Sequence, residues 1–425
     1  MNMVNCYISK SGKADKRIFF VASNLNHLRM WTAIIDSLRQ LEPKIAVEIC
    51  SLDAYYDQID RIELVSSKTG FLVFPRKLSN KVYWDCNFIE KIILYLEARF
   101  QTNAFLRENS PKIIVFGNDI GVLEQILLTE SMRRRIPTLL VQDGILRDVV
   151  KNKFGLTRKF QYILRKLFRF APHSVYGLGG AKKFAVMGPY TRQLLEKLDV
   201  APAAIVETGH PRFDKLYKIR SEISNKSKII ARRKIGIKQD SPVIGFISQP
   251  MIRYQYVDAQ KWQKVVRDVI SVVKNLGSQF EFVIKLHPSE IKAEFIALYN
   301  DLIKESKIII FHREDIYDLL PLMDMVIVYN STVSLEAMVL DIPTIIYHPF
   351  DFRDDFHFVE LGGATVASNT EDLKQTILKE AQDREWRSNS LQGREKAVRY
   401  HIGSLDGHAD YRIAKLIQDM GILRK

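Results

Sequence analysis

Cysteine is scarce in this chain: three residues among 425 (Cys6, Cys50 and Cys86), an odd number with no CxxC pair. That excludes a disulfide framework and a cysteine-based zinc site, and it suits a reducing compartment. No run of about 18 apolar residues occurs, so no segment is expected to span a bilayer. The opening residues, MNMVNCYISKSGKADKR, lack the apolar centre of a signal peptide. A cytoplasmic location is the expectation. The GxGxxG fingerprint is also missing, which removes the warrant for NAD or FAD, and no cofactor is expected.

Apolar residues make up 47% of the chain and aromatics 10%, enough for packed cores. A length of 425 residues exceeds one ordinary domain and points to two. The formal net charge of +14 calls for an anionic partner: a nucleic acid, an anionic membrane, or charged substrates.

Short β-branched and apolar runs alternate with helical patterns along the whole chain. Strands are expected at 17–22, 45–50, 71–74, 113–117, 138–141, 184–187 and 205–207. A second series follows at 243–247, 281–286, 308–311, 325–329, 344–347 and 364–367. Helical periodicity is expected over 29–41, 88–102, 120–134, 258–276, 290–305 and 315–320, with an amphipathic helix ending near Met420. This alternation implies an α/β fold of two doubly wound parallel-sheet domains facing a cleft. The polar, basic stretch Lys215 to Lys234 reads as the connection between them. The domains are then 1–215 and 216–404, with 405–425 closing the chain and free to cross back to the first domain.

The residues that organise this reading run from Val326 to Pro343, VIVYNSTVSLEAMVLDIP. A buried strand stops abruptly at Asn330, Ser331 and Thr332, and a helical pattern starts at once. Such junctions in open α/β sheets present backbone N–H groups and a helix dipole to a crevice, which suits a phosphate. The same residues also suit a plain helix cap, with Glu336 completing it. Other strand ends carry polar groups too. Ser248 and Gln249 follow 243–247, and Lys285, His287 and Pro288 close 281–286. Asp119 follows 113–117, and Asp143 with Gly144 follows 138–141. An acid just past a buried strand is a candidate general base, although Asp-Gly is equally a strong turn pair.

Residues 151–170, KNKFGLTRKFQYILRKLFRF, hold seven Lys or Arg and no acid, interleaved with Phe, Tyr, Ile and Leu. Wound as a helix, this places a basic face beside an aromatic-aliphatic one, the pattern of a segment on an anionic membrane surface. A core helix with a solvated charged face is the plainer alternative. No nucleic-acid-binding motif accompanies the charge, so no nucleic-acid partner is expected.

The set KLHP (285–288), NSTVSLEAM followed by IPTIIY, TGHPRFD (208–214) and DGHADYRI (406–413) resembles the two-domain GT-B glycosyltransferases of bacterial capsule and lipopolysaccharide synthesis. It is most similar to the Kdo-, sialyl-, polysialyl- and CDP-glycerol transferase groups. The resemblance implies an N-terminal acceptor domain and a C-terminal nucleotide-donor domain. It also implies that His287 and Pro288 hold the donor's phosphate, with Lys285, Asn330, Ser331, Thr332, Ser248 and Gln249 around it. Glu336 matches an acid that binds the ribose or sugar. Asp143 matches the acidic-Gly motif of the general base, with Gln142 standing where that motif has its first acid. As in those families no DxD metal motif is present, so no metal is expected.

The implied activity is transfer from a nucleotide-sugar, with a CMP-activated acid such as Kdo or a sialic acid preferred, to a surface-polysaccharide or lipid-linked glycan acceptor. The protein would be peripheral on the inner face of the cytoplasmic membrane. Alternatives are CDP-glycerol glycerophosphotransfer and a non-hydrolysing UDP-sugar 2-epimerase. A binding protein that kept the fold without catalysis is a further rival.

Overall fold

A computed structural model describes residues 17–23, 25–51, 70–73, 87–147, 175–237, 241–253, 256–304 and 308–421. The basic-aromatic stretch 151–170 lies outside the described residues. The chain divides into two compact units. The first comprises Met1–Asp214 with His401–Lys425, and the second Lys215–Tyr400.

Among the described residues, the first unit is built on seven parallel strands: β1 (Arg17–Ala22), β2 (Ala46–Ser51), β3 (Gly70–Val73), β4 (Ile113–Phe116), β5 (Thr138–Val141), β6 (Lys183–Val186) and β7 (Ile205–Glu207). Their order is β3-β2-β1-β4-β5-β6-β7, so the winding reverses between β1 and β4. Near-continuous apolar runs such as RIFFVA and IIVF bury both faces, as a parallel sheet covered by helices requires. One face packs Phe19, Ile114, Phe116 and Leu140 against the helices Phe88–Asn109 and Val122–Arg133. The other packs Ile18, Phe20 and Val115 against the helix Leu25–Leu41. The last helix, Ala409–Gly421, joins that second face through Ile413, Ala414 and Ile417. Trp31 is fully enclosed there, and its ring N–H donates to the Val21 carbonyl at 3.0 Å.

The second unit repeats the plan with, among the described residues, six parallel strands: β8 (Val243–Ile247), β9 (Glu281–Lys285), β10 (Ile308–Phe311), β11 (Met325–Val328), β12 (Thr344–Tyr347) and β13 (Thr365–Ala367). The order β10-β9-β8-β11-β12-β13 reverses between β8 and β11. Both sheets are therefore doubly wound, and every strand lies within a residue of its expected place.

The helices depart further from expectation. The first starts at Leu25 rather than Arg29, because the polar residues before it belong to its first turn: the Ser23 N–H donates to His27 Nδ1 at 3.1 Å. The stretch expected as a polar connection forms two helices, Pro211–Glu222 and Asn225–Lys234. Ser224 and Ser227 close a capping box at the second. Lys228 and Arg232 then reach the Asp324 carboxylate, which also accepts from the Val243 N–H at 2.7 Å. The basic residues thus tie that helix to the starts of β8 and β11. The region expected as one helix over 290–305 is two short ones, Lys292–Leu298 and Asn300–Ile303.

The helix Arg384–Ile402 crosses the turn before β13 at Gly393. A methyl group there would lie 1.9 Å from the Gly362 carbonyl oxygen. Gly393→Ala should therefore destabilise the fold by about 2 kcal/mol, because backbone overlap outweighs alanine's helix preference of roughly 1 kcal/mol. Urea denaturation of the variant checks this, and unchanged or raised stability would contradict it.

Candidate functional site

In doubly wound sheets, ligands bind beyond the carboxyl ends of the strands where the winding reverses. In the second unit that point lies between the loops after β8 and β11. The Gln249 side chain closes it. Its amide N–H donates to the Asn330 carbonyl at 2.8 Å, and its oxygen accepts from the Asn330 N–H at 2.9 Å. Ser248, nearly enclosed, donates from Oγ to Glu290 Oε1 at 2.8 Å. The other Glu290 oxygen accepts from the His287 N–H at 2.8 Å. One carboxylate thus ties the ends of β8 and β9 together. Burial raises its pKa, offset by those hydrogen bonds.

His287 itself is exposed. Its Nδ1 accepts from the Ser289 N–H at 3.1 Å and meets Ser289 Oγ at 2.7 Å. The neutral ring therefore carries its proton on Nε2. Partial desolvation lowers its pKa, helped by the positive charges of Lys285 and Arg253. The Arg253 guanidinium is anchored by the Ser289 carbonyl at 2.7 Å. Pro288 is exposed beside the ring and shapes the turn.

Three expectations change here. Lys285 is buried, and its ammonium donates to the carbonyls of Leu286 (2.7 Å) and His312 (3.0 Å). It braces the loops instead of presenting an open cation. Glu336, expected as a ribose or sugar ligand, is 5% exposed, and its Oε1 accepts from the Tyr317 hydroxyl at 3.3 Å. The expected bare N–H groups of the turn are mostly used internally. Val333 N–H donates to Ser331 Oγ, Ser334 N–H to the Ser331 carbonyl, and Leu335 N–H to the Thr332 carbonyl. Thr332, at the N-cap position of the helix Val333–Val339, makes no side-chain cap bond.

In the first unit the reversal lies between the loops after β1 and β4. Asp119, expected there as a possible base, is fully buried. Its oxygens accept from the N–H groups of Gly177 (3.1 Å) and Gly179 (2.7 Å). A methyl group at Gly179 would meet Asp119 Oδ2 at 2.6 Å, so that loop closes on the carboxylate only with glycine. Asp119 is a loop staple with no solvent access, which does not suit a base. Gln142 is equally structural: its oxygen accepts from the Met187 N–H at 2.8 Å and its amide donates to the Gly144 carbonyl at 2.9 Å. A carboxylate could not make the second bond, which gives a physical reason for glutamine at this position.

Asp143 sits among groups that sequence reasoning did not select. His27 Nε2 lies 3.4 Å from its Oδ2, and an Arg212 terminal nitrogen lies 3.9 Å from its Oδ1. Because the Ser23 N–H donates to His27 Nδ1, the proton of that buried ring is on Nε2, facing the carboxylate. A Cβ on Gly117 would fall 2.6 Å from the His27 ring, so glycine after β4 makes room for it. His210 is locked the same way, its Nδ1 accepting from the Arg212 N–H at 3.0 Å. Burial alone would raise the Asp143 pKa, but hydrogen bonding and charge from His27, with charge from Arg212 and His210, bring it down to about 2. Burial and the Arg212 charge push His210 down to about 3. The available signal was positional: SNLNH and TGHPRFD both lie at carboxyl ends of strands.

Residues 183–418, more than half of the chain, match the family model of CDP-glycerol:poly(glycerophosphate) glycerophosphotransferase. The match takes in the whole second unit together with His210 and Arg212. No curated protein is significantly similar in sequence. Among solved structures, the chain is similar to UDP-GlcNAc 2-epimerase from Neisseria meningitidis bound to UDP-GlcNAc, with a TM-score of 0.64, 13% identity, and 95% and 100% of the two chains covered. It is similar to Methanocaldococcus jannaschii UDP-GlcNAc 2-epimerase in complex with UDP-GlcNAc and UDP (TM-score 0.60, 14% identity, 95% and 99% covered). A glycosyltransferase from Rickettsia africae is similar at TM-score 0.59, 13% identity, and 96% and 99% coverage. At these identities the likeness establishes the GT-B fold.

The depressed pKa of His210 has a consequence for stability. In the unfolded chain the ring titrates near 6.5 and in the folded chain near 3. Below pH 6.5 the unfolded chain alone gains the proton, so stability is full above 6.5 and falls as pH drops toward 3. Between pH 6.5 and 4 this one group accounts for a loss of about 3 kcal/mol. His210→Gln should flatten the stability profile by about that amount. Parallel profiles of the two proteins, measured by denaturation across this range, would contradict the assignment.

Proposed function

The chain belongs to the CDP-glycerol:poly(glycerophosphate) glycerophosphotransferase family, and on that premise we propose that it transfers a glycerophosphoryl group from a cytidine-diphosphate-activated donor to a hydroxyl of a polyol-phosphate acceptor. The observation that carries this reading is the second unit's winding reversal, which lies wholly inside the matched stretch. On the loops beyond β8, β9 and β11, the proton-bearing Nε2 of His287, the Arg253 guanidinium and the hydroxyls of Ser331 and Thr332 are the donors proposed for a phosphate. The acceptor oxygen attacks phosphorus, the bond from that phosphorus to the oxygen of CMP breaks, and negative charge builds on the departing phosphate. Fixed donors lower the barrier because they are already oriented when that charge appears. Asp143 is the group proposed to take the acceptor's proton. A carboxylate whose pKa is brought down to about 2 stays ionised at neutral pH, although it is a weak base.

A nucleotide-sugar donor is the second reading, supported by the GT-B neighbours solved with bound UDP and UDP-GlcNAc. CMP-activated acidic sugars belong to the same class, and 2-epimerisation of a UDP-sugar is its rival chemistry. Thermal-shift measurement with CMP, CDP, UDP and GDP separates them, since only a nucleotide bound by the folded state raises the melting temperature. The expected ranking is CDP or CMP above UDP and GDP, with CMP released from CDP-glycerol. His287→Ala should lower that turnover about 100-fold, the usual cost of one preorganised donor. A preference for UDP, with inversion at C2 of UDP-GlcNAc, would overturn the proposal.

Association with an anionic membrane completes the reading. No helix among the described residues is long and apolar enough to cross a membrane. The helix Phe88–Asn109 nonetheless exposes Ile89, Ile92, Ile93, Leu96 and Phe100 at helical spacing, while Ala98 and Leu106 face the core. With the basic stretch 151–170 and a net charge of +14, this stripe supports contact with a negatively charged bilayer. The protein should co-float with phosphatidylglycerol vesicles, and Leu96→Glu should weaken that at least several-fold. Equal flotation of variant and parent would count against the stripe.

A further inference from the structure

Among the described residues of the first unit, Asp143 Oδ1 and His210 Nε2 are buried polar atoms that the protein leaves without hydrogen-bond partners. They are joined through Arg212, whose N–H fixes His210 Nδ1 at 3.0 Å and whose guanidinium approaches Asp143 Oδ1 at 3.9 Å. The two atoms are opposite in kind. His210 is neutral and its Nδ1 is occupied, so Nε2 bears a hydrogen and can only donate. An ionised carboxylate oxygen can only accept. Leaving either one unmade inside a protein is costly, so the pair calls for a partner. The Asp143 side chain is 24% exposed, so the cluster opens to the surface.

A hydroxyl is donor and acceptor at one atom, the combination these two groups require. We propose that Asp143 and His210 form a recognition site for a hydroxyl of the acceptor, its O–H donating to Asp143 Oδ1 and its oxygen accepting from His210 Nε2. His27 is the positioning residue of this site. Its Nδ1 is held by the Ser23 N–H, and its ring is 0% exposed, so it has neither a lone pair nor solvent access with which to act on substrate itself. It presents one N–H to Asp143 Oδ2 and leaves Oδ1 for the ligand. Gly117 leaves the ring its space. This rests on the proposed transfer to a hydroxyl, yet the site can be tested without turnover.

The full-length protein, labelled with 15N-histidine, is titrated with glycerol 1-phosphate and separately with inorganic phosphate. The ring resonance of His210 is identified with His210→Gln, or with His210→Asn should the first variant fail to fold. The expected result is a saturable shift of the His210 Nε2 signal with glycerol 1-phosphate, none with phosphate, and loss of the shift in Asp143→Asn. No shift at saturating glycerol 1-phosphate, an equal shift with phosphate, or an undiminished shift in Asp143→Asn would each overturn the site. In His27→Gln the same titration should show at least tenfold weaker binding, and unchanged affinity would remove its positioning role. The donor reading fails separately, if cytidine nucleotides do not raise the melting temperature of the same sample.

Discussion

The second unit depends on one carboxamide. Gln249 makes a two-way bond with the backbone of Asn330, and so fixes the separation of the two loops at which the winding reverses. Strands β8 and β11 are neighbours whose helices leave on opposite faces, so nothing in the sheet itself ties the loops beyond them together. A side chain with both a donor and an acceptor is needed to do so. Glu290 plays the same part between β8 and β9, with Ser248 on one oxygen and the His287 N–H on the other. His287 is consequently presented by a framework of buried hydrogen bonds, while its own ring faces outward. Preorganised donors of this kind need little rearrangement when charge develops on a bound phosphate.

The first unit solves the equivalent problem with rings. His27 fills the place beside Gly117 at the winding reversal, and its remaining N–H faces Asp143. Both imidazoles near that carboxylate have Nδ1 tied to a backbone N–H, one from Ser23 and one from Arg212. Their tautomers are thereby set by the chain path itself. The resulting field keeps Asp143 ionised far below neutral pH. The two units therefore share a plan, polar side chains gathered beyond the carboxyl ends of parallel strands, while differing in the chemistry gathered there.

The strands were readable because a parallel strand covered on both faces has to be an apolar run, and IIVF, VIGFI and MVIV have few other uses. Helix starts were less readable where a polar residue serves the backbone, as His27 does for Ser23, since a capping residue and a loop residue have the same composition. The basic stretch after Lys215 reads as a linker in sequence because the partner of Lys228 and Arg232 is Asp324, far along the chain. Site residues followed the same division. Placing His287, Ser331 and Asp143 at strand ends needed only strand boundaries. Recognising Lys285 and Asp119 as braces needed knowledge of the carbonyls and N–H groups they meet, which no spacing reveals. His27, Arg253 and Glu290 carry no mark in the sequence, and the TGHPRFD motif shows His210 and Arg212 without showing what they face; each acquires meaning from residues distant in sequence.

The central claim is that the loop junction closed by Gln249 receives the donor's phosphates. A crystal structure of the protein with CDP tests it most directly. Diphosphate density is expected against His287 Nε2 and the hydroxyls of Ser331 and Thr332, with the Gln249–Asn330 bonds intact. Ordered nucleotide bound elsewhere, with that junction holding only solvent, would contradict it.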